Sequence, residues 1–286
     1  MAVKRLGPLL IASIFLTFAA PRSPVAEEIW QQLPQPQKLP VPDSSGYAWV
    51  NGVQLYYASF GSGEPVLLLH GPLGNADYWG NQVAALARHY RVVVLDNRGH
   101  GRSTRDARLY SYRLLVEDVL ALLDLLKIDR VSVVGWGDGG NIALQLAMSH
   151  PERLRKAFVF DANFNPSGLR NDVDESETFV RYVDLAGRDY LRLSPTPNDY
   201  DLFFRAVNFL WGAEPDFTPA QLGDIKVPIM IAAGDHDEVI KREHTEALVR
   251  LIPGSRLNIL PRASFFAMWQ QPVAFNKAVL DFLAGR

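Results

Sequence analysis

A chain of 286 residues with 29 basic and 31 acidic side chains, a net charge of −2 and no cysteine is long enough for one sizeable domain with a buried core and an inserted lid, or at most two domains. Near-balanced charge with six histidines and no basic block leaves no electrostatic footprint for nucleic acid. A small molecule or a protein is the expected partner. Lack of cysteine rules out a disulfide framework and a cysteine lipid anchor, but it is compatible with an oxidising compartment.

Lys4 and Arg5 precede the apolar run Leu6–Ala20, which is shorter than the ~20 residues of a membrane span and reads as an export signal over residues 1–26. Thr17-Phe18-Ala19 and Pro24-Val25-Ala26 each offer a small-x-small cleavage site. Both outcomes stay open: a cleaved signal with a periplasmic or secreted product, or an uncleaved membrane anchor. Trp30–Ser45 is rich in Pro and Gln without periodicity, so residues 27–45 read as a linker and residues 46–286 as the folded domain.

Tyr47–Val50 and Gln54–Ser59 flank Asn51-Gly52, a strong hairpin signal. Pro65–Leu69 is a continuous apolar run, as expected of a strand covered on both faces, and it ends in His70-Gly71-Pro72-Leu73-Gly74-Asn75. Trp79–His89 has helical spacing, Arg91–Leu95 is the next buried strand, and Asp96-Asn-Arg-Gly-His100-Gly-Arg-Ser103 follows it. Tyr112–Leu126 is an amphipathic helix with Leu115, Val119, Leu122 and Leu126 on one face.

The chain is organised around the β-branched run from Val131 that breaks into Gly135-Trp136-Gly137-Asp138-Gly139-Gly140 and resumes as the helix Ile142–Ser149. A strand entering a helix through so tight a corner crowds the residues two before and two after its tip. Gly135 and Gly139 satisfy that demand, which puts the tip at Gly137. A tip at Asp138 would place Trp136 where only a small side chain fits.

Beyond this corner, Leu154–Phe160 is a buried strand ending at Asp161, and the alternation of strands and helices predicts a parallel sheet with right-handed crossovers. From 163 to about 222 the pattern changes to aromatic-rich helical pieces, Phe179–Leu185 and Tyr200–Trp211, broken by Pro166, Pro195, Pro197 and Pro215. Val227–Ala233 is the next strand, ending in Gly234-Asp235-His236-Asp237-Glu238. Lys241–Leu251 is a helix, Arg256–Leu260 the last strand, and Ser264-Phe265-Phe266 precedes the C-terminal helix Phe275–Leu283.

The glycine corner, the His-Gly turn, the Asp-x-Arg-Gly-His-Gly-x-Ser turn and the Gly-x-x-Asp turn occur in the order of the α/β-hydrolase family, which this chain resembles from Tyr47 to Leu283. The resemblance implies an α/β-hydrolase fold: a mostly parallel twisted sheet of about eight strands flanked by helices, with a helical lid inserted at 163–222. It implies that Gly137 occupies the nucleophile's place, normally a serine, and that Phe265 occupies the general base's place, while Asp237 keeps the acid. The oxyanion donors then fall at Asp138 and at Pro72 or Leu73, and proline has no N–H to give. His70 and His100 are expected to brace turns. His236 sits on the acid turn, and His244 is expected in a solvated or N-terminal position. Phe179, Tyr182, Phe203, Phe204, Phe209 and Trp211 are candidates for an apolar pocket, with at least half expected to pack the lid instead.

A chain without nucleophile and base loses on the order of 10⁶ in turnover, about 8 kcal/mol of barrier, because the two act as a unit. Asp237, deprived of an imidazole, is expected to show a raised pKa or to find a substitute donor such as water, Lys241 or Arg242. Three readings follow. One is an exported, esterase- or lactonase-like protein without hydrolytic machinery, needing no cofactor or metal and keeping a pocket for a small apolar or ester-like ligand. The second is a lyase or isomerase using Asp138 or Asp237 as a general base, although Asp138 is expected to point away and brace the turn. The third is an inactivated form of an active esterase. The oligomeric state is not legible.

Overall fold

The structure, a computed structural model, describes residues 28–286. The expected export signal and both cleavage sites lie outside the described residues. Among the described residues no helix is long and apolar enough to cross a membrane.

Strands β1 (Ser44–Val50) and β2 (Val53–Phe60) form the expected hairpin, with Asn51 and Gly52 both at positive φ, +47° and +79°. That is the type I′ geometry for which Asn-Gly is selected. There follow β3 (Pro65–Leu69), α1 (Gly80–Leu86), β4 (Arg91–Leu95), α2 (Tyr112–Leu125), β5 (Val131–Trp136), α3 (Asp138–Ser149) and β6 (Leu154–Phe160). The insertion holds α4 (Glu177–Leu193), α5 (Tyr200–Ala213) and α6 (Pro219–Gly223). The chain then completes β7 (Ile229–Gly234), α7 (Arg242–Leu251), β8 (Arg256–Leu260), α8 (Ala267–Gln270) and α9 (Pro272–Leu283).

The eight strands form one sheet in the order β1-β2-β4-β3-β5-β6-β7-β8, parallel from β4 to β8 and antiparallel only at β1 and β2. Every residue of β5 is buried, as a central strand between two helical layers requires. Helix α2 packs on α3, and α1 packs on α9. The sheet therefore delivers the C-terminal ends of β3, β5, β6, β7 and β8 to one rim, where ligands of open α/β sheets bind.

The segment expected to be a linker is docked on the domain. Leu33 and Leu39 pack against the core, Gln270 Nε2 donates to the carbonyls of Trp30 (3.1 Å) and Gln32 (2.9 Å), and Thr178 Oγ1 donates to Gln31 O. β1 also starts three residues earlier than expected. A Pro- and Gln-rich stretch without periodicity conceals this because backbone carbonyls and isolated leucines, not a patterned face, make the attachment.

The turn after β4 ties loops together, as the sequence implies. Asp96 accepts from the N–H groups of Ala76 (2.6 Å) and Arg102 (2.7 Å), and Arg98 makes a two-pronged pair with Asp118 at 2.7 and 2.6 Å, both side chains buried. Removing one partner of such a pair leaves an uncompensated buried charge. Asp118→Ala is expected to cost about 3–5 kcal/mol, read as a fall in the chemical-denaturation midpoint with an unchanged slope.

Candidate active site

The tip between β5 and α3 is Gly137, at φ +54° and ψ −114°, a conformation close to glycine's own territory. A Cβ on Gly135 would overlap the Gly139 carbonyl oxygen, and one on Gly139 would overlap that of Leu69. Those two contacts are with backbone of the central sheet and cannot relax. Gly139→Ala is expected to lower the melting temperature by many degrees or abolish folding, because overpacking here pushes β3 away from β5; circular dichroism melts measure it.

Pro72 and Phe265 close on the tip. A Cβ on Gly137 would lie 2.8 Å from Pro72 Cδ and 3.0 Å from Phe265 Cζ. Phe265 is buried, with its ring centroid 5.2 Å from Trp136 and its N–H donated to Glu238 Oε2 at 3.0 Å. The loop after β8 thus aims a phenyl ring at the corner. Pro72 lines the cavity over the tip whereas Leu73, at φ +54°, is buried away from it. Of the two positions named for the first oxyanion donor, the one facing Gly137 has no N–H. Gly71 must be glycine because a Cβ there would stand 2.6 Å from the Trp136 ring. Asp138 is the first residue of α3, so its N–H has no intrahelical acceptor.

The side chain of Asp138 does not turn away from the cavity, contrary to expectation. It lines it, accepting from Tyr112 Oη at 2.7 Å and from Trp211 Nε1 at 3.1 Å. Tyr112 from α2 and Trp211 from the lid supply the pull, and neither was legible as a partner of this aspartate because they are 26 and 73 residues away in sequence. Burial pushes the Asp138 carboxyl up to about 6, against the lowering effect of both donors.

Asp237 Oδ1 accepts from the N–H groups of Val239 (2.7 Å) and Ile240 (2.9 Å), while Oδ2 has no partner among the described residues. Burial raises its pKa to about 6. The substitute cations named for it are engaged elsewhere: Lys241 Nζ donates to Ser167 O and Arg242 pairs with Glu246. Two further buried carboxyls, which the sequence did not single out, stand beside it. Asp161, at φ +49° directly after β6, is fully buried with both oxygens unpartnered among the described residues; burial and then the charge of Asp237 push it well above the carboxylate range. Glu238 is raised to about 8, by burial first and Asp237 second. The sequence signal for Asp161 was its place at the end of a central strand.

The histidines do not supply a base. His70 Nδ1 lies 2.9 Å from Gly71 O and its Nε2 accepts from Asn97 N–H at 3.0 Å, and burial holds it neutral, near 3. His100 bonds Arg98 O at 3.0 Å and is pushed to about 4 by burial. His236 stacks on Trp30 at 3.9 Å in an outer groove away from Gly137. His244 stands in the first turn of α7 but is buried rather than solvated, stacked on Phe164 at 4.4 Å.

The cavity above the tip has a volume of about 620 Å³. Of the six lid aromatics, Phe179, Phe204 and Trp211 line it; Tyr182 and Phe203 pack inside the lid, and Phe209 is 58% exposed. Tyr182 donates to Pro72 O, fastening the lid to the turn after β3. Among the described residues no cluster of His, Asp or Glu has metal-holding geometry.

A family model described as alpha/beta hydrolase fold matches residues 64–198. The serine hydrolase BPHL of Mus musculus is 30% identical over 249 residues, covering 82% of this chain and 84% of that one. The chain belongs to the α/β-hydrolase-fold family. Other relatives of this hydrolase fold include a putative carbamate hydrolase RutD from Caulobacter sp. strain K31, 29% identical over 250 residues, 78% of this chain and 91% of the relative. Among solved structures, the enol-lactonase from Burkholderia xenovorans LB400 superimposes with a TM-score of 0.67 and 26% identity over 84% of this chain and all of that one. The family is thus esterase- and lactonase-like, and the fold is the eight-stranded, mostly parallel sheet of its members.

Proposed function

We propose that this α/β-hydrolase-fold protein no longer hydrolyses esters through an acyl-enzyme and uses the cavity under its lid to bind a small apolar or ester-like ligand. The carrying observation is the corner itself: Gly137 offers no atom for attack, and Phe265 and Pro72 fill the space that a side chain there would need. A phenyl ring accepts no proton, and a proline at the oxyanion position forfeits a donor whose loss costs about 10²–10³ in turnover. Residues 1–26 add an export signal, which would bring the protein to the periplasm, the exterior or a membrane surface.

Purified protein is expected to leave p-nitrophenyl butyrate at the rate of the buffer blank, with no burst, and to melt several degrees higher with an apolar ester or lactone that fits the cavity. Turnover at ordinary enzymatic speed would overturn the first half; no stabilisation by any compound of a broad ester and lactone panel would overturn the second. One observation favours a second reading, a lyase or isomerase: Asp138 faces the cavity held only by neutral donors, as a general base must. Such chemistry would vanish in Asp138→Asn while ligand-induced stabilisation persists.

A further inference from the structure

The charge on the cavity wall is one-sided. Asp138, Asp161, Asp174, Asp184 and Glu214 line it, and no lysine, arginine or histidine does. None of the five forms an ion pair among the described residues. Asp138 and Asp161 are the deep members, 8% and 0% exposed, while Asp174 and Asp184 stand exposed at the rim. One hydrogen-bonded chain joins the deep pair: Tyr112 Oη donates to Asp138, Asn141 Nδ2 donates to Tyr112 Oη (3.0 Å) and to Asn163 Oδ1 (2.9 Å), and Asn163 follows Asp161 by two residues. Every side-chain donor in that chain is neutral and already spent, and both oxygens of Asp161 remain without one.

Buried carboxylates with unspent acceptor capacity are costly unless a cation reaches them. A carboxylate or phosphate ligand would add a like charge to this wall, whereas a rim of exposed acids over a low-dielectric floor concentrates cations. The aromatic faces of Phe179, Phe204 and Trp211 suit both an apolar body and a cation near it.

We propose that the cavity selects an organic cation, an apolar body carrying a primary ammonium, with the ammonium at the corner made by Asp138 and Asp161 and the body against Phe179, Phe204 and Trp211. The proposal rests on the binding function above and narrows its ligand to amines and amino-bearing esters. It excludes free fatty acids.

Three probes of one shape test it by calorimetric titration of the purified protein: 4-phenylbutylamine, 4-phenylbutanol and 4-phenylbutyrate. The amine is expected to bind more than about tenfold tighter than the alcohol, the worth of one charge-assisted hydrogen bond, and the acid not to bind. Asp138→Asn and Asp161→Asn, which keep shape and acceptor atoms, are each expected to weaken the amine about tenfold and to leave the alcohol unchanged. Butyrate binding as tightly as the amine, or an amine preference intact in both variants, would overturn the proposal. Equal binding of all three would remove the charge selection and leave the binding cavity standing. Binding of none would remove both.

Discussion

Gly137→Ser combined with Phe265→His is expected to hydrolyse p-nitrophenyl butyrate on the order of 10³-fold faster than either single variant, each of which stays at background. Nucleophile and base work as one unit, so restoring one alone recovers almost nothing of the on the order of 10⁶ that both provide. Packing adds a second reason for the pairing. The serine's Cβ must share space with Phe265 Cζ, 3.0 Å away, and an imidazole lacks that outermost carbon. The acid is waiting: Asp237 Oδ2 has no partner among the described residues and can accept from the imidazole N–H. The recovery stays about 10²–10³ short of a full enzyme because Pro72 withholds one oxyanion donor, and Pro72→Ala in the same background is expected to regain much of that gap. An active Gly137→Ser single variant would mean that another group, Glu238 or Asp161, serves as base, and would sink the assignment of Phe265 to that position. So would a folded but inactive double variant.

Stability is expected to fall as pH rises from about 6.5 to 9, and Asp161→Asn is expected to flatten that slope. The sign follows from the carboxyls whose folded-state pKa lies above the unfolded value. Glu238 is raised to about 8 and Asp161 well above its model value, so between the unfolded value near 4 and those pKa values the folded protein holds protons the unfolded chain has lost. Their stabilisation is complete at low pH and disappears as pH climbs through the folded pKa. Asp138 and Asp237, each raised to about 6, follow the same rule in a lower window, between about 4 and 6. For Asp138, 8% exposed, a rise from 3.8 to about 6 corresponds to roughly 3 kcal/mol. His70 and His100 run the other way. Their folded pKa values, near 3 and 4, lie below the unfolded 6.5, so their contribution is present above 6.5 and is lost as pH falls. Opposed terms make the curve level between about 4.5 and 6.5, and only the carboxyl cluster acts above that range. Asp161→Asn removes its largest burden and is expected to raise the melting temperature at pH 8 by about 5 °C, with little change at pH 5. Melts at the two pH values decide it: an equal shift at both, or a destabilisation at pH 8, would show that Asp161 is not a strained buried acid.

Much of this molecule was legible in its order of residues. The Asn51-Gly52 turn, the continuous apolar runs of β3, β4, β5 and β6, and the spacing of Gly135, Gly137 and Gly139 fix backbone conformations within a few residues, where sterics act directly on the chain. For that reason the strand-to-helix corner and the substitution of Phe265 were visible without coordinates. The docked segment from Trp30 to Asp43 was not, because its attachments are single hydrogen bonds from Gln270 and Thr178, more than a hundred residues away. Nor was the direction of Asp138. A carboxylate beside a tight turn has two orientations of similar local energy, and the choice between them was made by Tyr112 and Trp211, brought from α2 and the lid. The grouping of Asp161, Asp237 and Glu238 arises in the same way, from strands β6 and β7 lying side by side. Sequence by itself determined the fold and the loss of a nucleophile at Gly137, since both depend on local steric rules and on apolar periodicity. Tertiary structure alone decided the charge and shape of the cavity, since burial and long-range neighbours set the energy of an acid and neither is written at the residue that carries it.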